Sequence, residues 1–142
     1  MLVRFYEKNT ISRNLQERKL YSQNVWVENQ LQPATVCLKD GTITNIHFEQ
    51  LTTAEDFGNS VIMPGVIDVH VHINEPGRTE WEGFETATQA AAAGGTTTIV
   101  DMPLNASPVT TTLPAFEEKL EASQGQLNVN VGFYAGLIPG NA

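Results

Sequence analysis

Val66-Ile67-Asp68-Val69-His70-Val71-His72 is the stretch that decides the fold. Apolar side chains alternate there with Asp68, His70 and His72, the period of a strand with one apolar and one polar face. Pro64-Gly65 turns the chain into this strand and Pro76-Gly77 turns it out. Further on, Thr79 stands three before Glu82, the spacing of a capping box, and Trp81, Phe84, Ala87, Thr88 and Ala91 recur at helical intervals up to a stop at Gly94-Gly95. Thr96 to Asp101 is β-branched and uninterrupted, as in a strand buried on both faces, and Met102-Pro103 ends it. After a polar loop, Leu104 to Thr111, the pattern predicts a helix from near Leu113 to Gln124. Pro114 is tolerated in its first turn, Leu113, Phe116 and Leu120 share a face, and Gly125 is its stop. Asn128 to Tyr134 is then a third strand. The order strand, helix, strand, helix, strand is that of parallel βαβ units, an α/β fold.

Upstream the pattern differs. From Leu20 to Met63 the segments are short, β-branched and separated by turn signals. The runs 34–39 and 42–48 meet at Asp40-Gly41, a dipeptide that accepts positive φ in a two-residue hairpin turn, so a small antiparallel sheet is expected. Residues 51–60 look like a connecting loop. Residues 1–19 hold five of the eight positive charges and have no continuous apolar core, which reads as a solvated leader rather than a secretory signal. The division expected is therefore a flexible leader over 1–19, a small β domain over 20–62 and an α/β segment over 63–142.

Composition narrows the function. Eight Lys and Arg against sixteen Asp and Glu give a net charge of −8, which repels a phosphate backbone and an anionic membrane alike. Neither nucleic acid nor membrane is expected as a partner, and an intracellular, cytoplasmic location is. The single cysteine, Cys37, reads as a small buried hydrophobe.

The polar face of the first α/β strand carries the chemistry. Two histidines one residue apart project from the same side, a spacing that can grip one metal ion, and the carboxyl end of a parallel strand is where such proteins collect functional groups. By spacing alone, two half-exposed histidines on a sheet face fit as well. Asp68 shares their face and either orients an imidazole or makes a structural hydrogen bond near the strand start. Asp101 ends the next strand, where such proteins keep functional residues. Asn74 and Asn105 are candidate substrate contacts in loops, Arg78 a surface or loop-anchoring residue, and Trp81 and Phe84 core-facing anchors. His47 lies in the hairpin and reads as a strand-surface side chain. Gly94-Gly95 follows a helix and precedes a strand, the reverse of a phosphate loop.

The runs Pro-Gly-Val-Ile-Asp-Val-His-Val-His-Ile-Asn-Glu-Pro-Gly at 64–77 and Ala-Gly-Gly-Thr-Thr-Thr-Ile-Val-Asp-Met-Pro at 93–103 resemble the metal-dependent cyclic amidohydrolases, the superfamily of dihydroorotases, hydantoinases and allantoinases. The resemblance runs from about residue 60 through the third strand, and more loosely over 20–60. It implies a (β/α)8 barrel preceded by a small β-sandwich-type segment, with His70 and His72 as ligands to the more buried of two divalent metals, zinc being the expected ion. Dihydroorotases typically place an arginine and an asparagine, which hold a substrate carboxylate, where this sequence has Asn74 and Leu104. An amide and a hydrocarbon suit a neutral substrate instead. The Glu-Pro-Gly-Arg-Thr-Glu-Trp-Glu-Gly run at 75–83, with Met102-Pro103-Leu104-Asn105, is similar to the allantoinase group. The implied reaction is metal-assisted hydrolytic opening of the allantoin ring to allantoate, in urate catabolism, by an enzyme that assembles as a homo-oligomer, a tetramer. A hydantoinase or dihydroorotase-like enzyme is the alternative.

In the family a carboxylated lysine and two more histidines complete the metal site, and a proton-shuttling aspartate sits on the last strand; all lie on later strands and have no counterpart here. The position of Asp101 is not a ligand in the family, and the resemblance thus favours a structural role for it. Three strands and two helices do not close a barrel that typically takes about 250 residues. The sequence thus reads as the front part of something longer, inactive and poorly stable alone, with no catalytic residue of its own. An alternative of another class is a non-catalytic truncated isoform that pairs through exposed strand edges.

Overall fold

A computed structural model describes residues 4–6 and 17–141. Along the chain the elements are β1 (Arg4–Tyr6), β2 (Arg18–Val27), β3 (Gln30–Lys39), β4 (Thr42–His47), β5 (Glu55–Asp56), β6 (Val61–Ile62), β7 (Val66–Val71), α1 (Phe84–Ala93), β8 (Thr96–Asp101), α2 (Leu113–Ser123) and β9 (Asn130–Phe133). They fall into two units, residues 17–64 and residues 4–6 with 65–141. Most of the expected leader lies outside the described residues. Its described parts are strand rather than leader, since Arg4–Tyr6 pairs antiparallel with β9 and Arg18-Lys19 opens β2. Charge alone did not reveal that these backbone groups find ladder partners.

In the first unit β2, β3 and β4 form an antiparallel meander. Both hairpins turn on two residues with positive φ, Glu28-Asn29 and the expected Asp40-Gly41, whose twist matches that of the flanking strands. Val25, Ala34 and Val36 are buried, with Val27, Leu38, Ile46 and Ile62 packed against them, and Cys37 is buried as well. The expected loop over 51–60 is more ordered than its composition suggests. It contains β5, and both β5 and β6 run parallel to β2. Two hydroxyls tie this segment down: Ser22 Oγ donates to the carbonyls of Gly58 and Ser60, and Thr35 Oγ1 donates to Glu49 O and accepts from Leu51 N–H. Where a sandwich-type segment is expected, the described residues form one five-stranded sheet.

The second unit is a four-stranded sheet in the order β1-β9-β8-β7, with β7, β8 and β9 parallel. Ile73, Phe84, Ile99, Leu127, Val129, Val131 and Phe133 form its buried core, with Ala87 and Ala91 of α1 and Phe116 and Leu120 of α2 packed against them. Phe133 meets both Phe84 and Phe116 edge to face. Three local expectations are corrected. The Thr79–Glu82 capping box does not form, because residues 79–81 lie in a turn and α1 starts only at Phe84; Glu75 Oε2 accepts the Phe84 N–H at 2.9 Å instead. Trp81 is not a core anchor but 65% exposed, with the Arg78 guanidinium 5.2 Å from its ring centre. Leu113 is exposed, since it opens α2 beyond the sheet, and the buried stripe of that helix is Ala115, Lys119 and Ser123. Thr112 Oγ1 caps α2 by accepting from Ala115 N–H.

Candidate functional site

Strand alternation puts Asp68, His70 and His72 on one face of β7 and of the residue that follows it. The two imidazole centroids are 5.3 Å apart, their planes inclined by 59°. His70 is exposed and His72 half-buried. At zinc–nitrogen distances of about 2.0–2.1 Å, two rings so spaced can converge on one cation. His72 Nδ1 is buried without a hydrogen-bond partner, and an unsatisfied imidazole nitrogen beside a second imidazole fits a divalent cation of the borderline kind that histidine favours. Among the described residues no cluster of three or more His, Cys, Asp or Glu comes together as a metal site. Asp68 Oδ1 accepts the N–H of His70 at 3.0 Å, so its recorded contact is with the strand backbone rather than with an imidazole. His47 sits on β4 with its Nε2 3.1 Å from Asn45 Nδ2.

A cavity of about 880 Å³ opens where the three parallel strands end. His70 lines it from β7, Met102 and Leu104 from the segment after β8, Tyr134 and Leu137 from the segment after β9, and Asn141 from further along. No lysine or arginine lines it among the described residues. Leu104 is thus brought to the cavity, while Asn105, at φ 76°, is exposed and outside the lining. Asn74 is buried in the loop after β7. Its N–H donates to Glu82 O, its carbonyl accepts from Arg78 N–H, and its side-chain Oδ1 has no partner.

Behind the histidines lies an ion pair that sequence reasoning missed in part. Asp101 closes β8 and Lys119 stands on the sheet side of α2; Nζ and Oδ2 are 2.5 Å apart, and both side chains are 1% exposed. Asp101 Oδ1 accepts the Ile73 N–H at 2.7 Å, and Lys119 Nζ donates to the Ile73 carbonyl at 3.3 Å. Burial pushes the Asp101 carboxyl above its ordinary value, opposed by the Lys119 ammonium and the Ile73 N–H. Asp101 was legible as structural. The signal for Lys119 was a lone cation at position i+4 from Ala115 and i−4 from Ser123, in the middle of a small-residue stripe.

This is an α/β protein of the kind that gathers its functional groups at the carboxyl ends of parallel strands, here with paired imidazoles beside an apolar cavity. The profile of the amidohydrolase family matches residues 61–139, more than half of the chain, and the chain belongs to that family. It is 47% identical over 134 residues to the allantoinase of Saccharomyces cerevisiae, covering 84% of this chain and 29% of the yeast protein. It is also 62% identical over 88 residues to probable allantoinase 2 of Dictyostelium discoideum, covering 62% of this chain and 17% of that protein. Among solved structures it is similar to the L-hydantoinase of Arthrobacter aurescens, with a TM-score of 0.69 and 32% identity, over 87% of this chain and 29% of that one. The chain therefore spans less than a third of the length of these relatives. No helix among the described residues is long and apolar enough to cross a membrane.

Proposed function

We propose that the chain supplies the His-x-His strand of an allantoinase-type cyclic amidohydrolase, which opens the hydantoin ring of allantoin to allantoate by hydrolysis. Residues 63–142 are on this reading the start of a (β/α)8 barrel, and residues 20–62 its companion β domain. The observation that carries it is the pair of facing imidazoles at the end of β7, beside an apolar cavity, in a chain 47% identical to the yeast allantoinase. His70 and His72 hold a divalent metal, zinc being the expected ion. Bound there, the metal supplies Lewis-acid polarisation of a ring carbonyl and activates water for attack. Leu104 presents hydrocarbon to a neutral substrate from the cavity wall, whereas Asn74 is buried outside that lining with its Oδ1 unpartnered, and its contact with the ring rests on the family resemblance. No lysine or arginine among the described residues lines the cavity to clamp a substrate carboxylate, which favours a neutral ring over dihydroorotate.

The test is a graft. Residues 61–139 replace the matching segment of the yeast allantoinase, and the zinc-loaded chimera is assayed with allantoin, hydantoin and dihydroorotate in competition. Allantoin is expected to be the preferred substrate, and His70→Ala in the graft to abolish turnover. Preference for dihydroorotate would overturn the reading of Asn74 and Leu104. The 142-residue chain alone, which offers two imidazoles where a catalytic zinc site usually has three protein ligands, is expected to show no turnover above background.

A further inference from the structure

The Asp101–Lys119 pair does more geometrically than neutralise itself. Ile73 directly follows His72, and the pair grips both sides of it: Asp101 Oδ1 takes its N–H at 2.7 Å and Lys119 Nζ reaches its carbonyl at 3.3 Å, while the two charges close on each other at 2.5 Å. Ile73 itself is fully buried, so its side chain fixes the residue from a third direction. The Ile73 N–H belongs to the peptide that also contains the His72 carbonyl. Holding that N–H therefore sets the orientation of the peptide plane leaving His72. An imidazole on a short stem follows its backbone closely, because χ1 has only three staggered wells and leaves χ2 as the one remaining, roughly two-fold, torsion.

Salt-bridge energetics point the same way. A buried ion pair of this kind is no better for stability than well-packed apolar side chains of similar volume, so stability alone does not account for a lysine at this position. What the pair supplies and two apolar residues cannot is a donor and an acceptor directed at one backbone residue. Groups hydrogen-bonded to a metal ligand itself commonly change metal affinity by about 10–100-fold, which sets the ceiling for a clamp acting one peptide away.

We propose that Asp101 and Lys119 are positioning residues that aim His72 at a shared cation by clamping both polar groups of Ile73. The inference rests on His70 and His72 being metal ligands. Its test uses the whole 142-residue chain, with Co²⁺ as the probe, titrated calorimetrically and followed by the His70 and His72 imidazole NMR signals. Asp101→Leu/Lys119→Met removes the clamp while filling its volume. Asp101→Asn/Lys119→Met keeps an acceptor for the Ile73 N–H and loses the donor to its carbonyl. Affinity is expected to fall by about 10-fold in the first, the low end of the range for direct ligand partners, and less in the second. Unchanged affinity in a folded variant overturns the inference. In the native chain the Ile73 amide is expected to exchange slowly with solvent, and rapid exchange in folded protein overturns it without any variant. If native Co²⁺ binding is absent or survives His70→Ala/His72→Ala, the metal reading itself fails and the clamp inference falls with it. If binding needs both histidines but ignores the clamp, only the clamp inference fails.

Discussion

Lys119→Met alone should be far more damaging than replacing both members of the buried pair. Methionine fills most of the space of the lysine stem but leaves Asp101, 1% exposed, without its counter-charge. Breaking one side of a buried pair costs about 3–5 kcal/mol. A limit on the ionisation part follows from Asp101 itself, which can escape by taking up a proton. From its ordinary value of 3.8, that costs about 4 kcal/mol at pH 7 and about 2 kcal/mol at pH 5, at about 1.4 kcal/mol per pH unit. The sign follows from the direction of the shift. With its folded pKa already above 3.8, Asp101 favours the folded state below that value and loses this contribution as pH rises through the folded pKa. Without Lys119 the folded pKa rises further, so the loss extends to higher pH. The penalty of Lys119→Met relative to the native chain should therefore shrink as pH falls from 7 to 5, by up to about 3 kcal/mol. Other groups titrating in that window are common to both proteins and cancel in the difference. Both tryptophans are largely exposed, Trp26 at 47% and Trp81 at 65%, so urea unfolding is best followed by far-ultraviolet circular dichroism, with amide exchange at Ile99 and Val131 reporting on this unit alone. A penalty under about 1 kcal/mol, or one that does not change with pH, would refute the reasoning.

Three further outcomes follow from the geometry. His70→Ala and His72→Ala should each abolish zinc binding in calorimetry, whereas His47→Ala should leave it unchanged; equal loss in all three would remove the pair from the site. Gly77→Ala should destabilise by about 1–3 kcal/mol in urea titration, because Gly77 has φ 89° and a Cβ there would run into the Ser107 carbonyl. A neutral effect would show that this turn relaxes freely. Glu75→Ala should cost about 0.5–2 kcal/mol through loss of the acceptor that caps α1 at Phe84 N–H, read as reduced helicity and a lower thermal midpoint.

The α/β order was legible because its signals are local and strong. Alternation in 66–72, the β-branched run 96–101 and the Gly94-Gly95 stop each specify an element with no knowledge of its neighbours. Asp40-Gly41 did the same for a hairpin. What escaped depends on distant partners. The capping box at Thr79–Glu82 was matched by spacing, yet the acceptor that starts α1 arrives from Glu75 through a loop. Trp81 fits a helical face on paper, but the helix begins three residues later, so the ring is left outside with Arg78. Composition marked 51–60 as loop, while backbone bonding to β2 made part of it strand. The candidate site divides the same way. Spacing offered His70 and His72 as one of two readings, and the family resemblance favoured the metal pair and singled out Asn74 and Leu104. The Lys119 contact to Ile73 spans 46 positions, and no local pattern encodes it.

The loop from Asn74 to Gly83 is held at both ends and tied within, by Arg78 N–H to the Asn74 carbonyl and Ser107 N–H to the Pro76 carbonyl. Ile73 is gripped at one end and the Glu75–Phe84 bond closes the other, while Arg78 and Trp81 stand in solvent between them. In mechanical terms this is a lever with a fixed fulcrum. Arg78 N–H bonds to the Asn74 carbonyl, so a displacement of the Arg78–Trp81 tip arrives at the gripped Ile73 before it reaches His72. The clamp on Ile73 therefore stands between the most exposed part of this loop and His72.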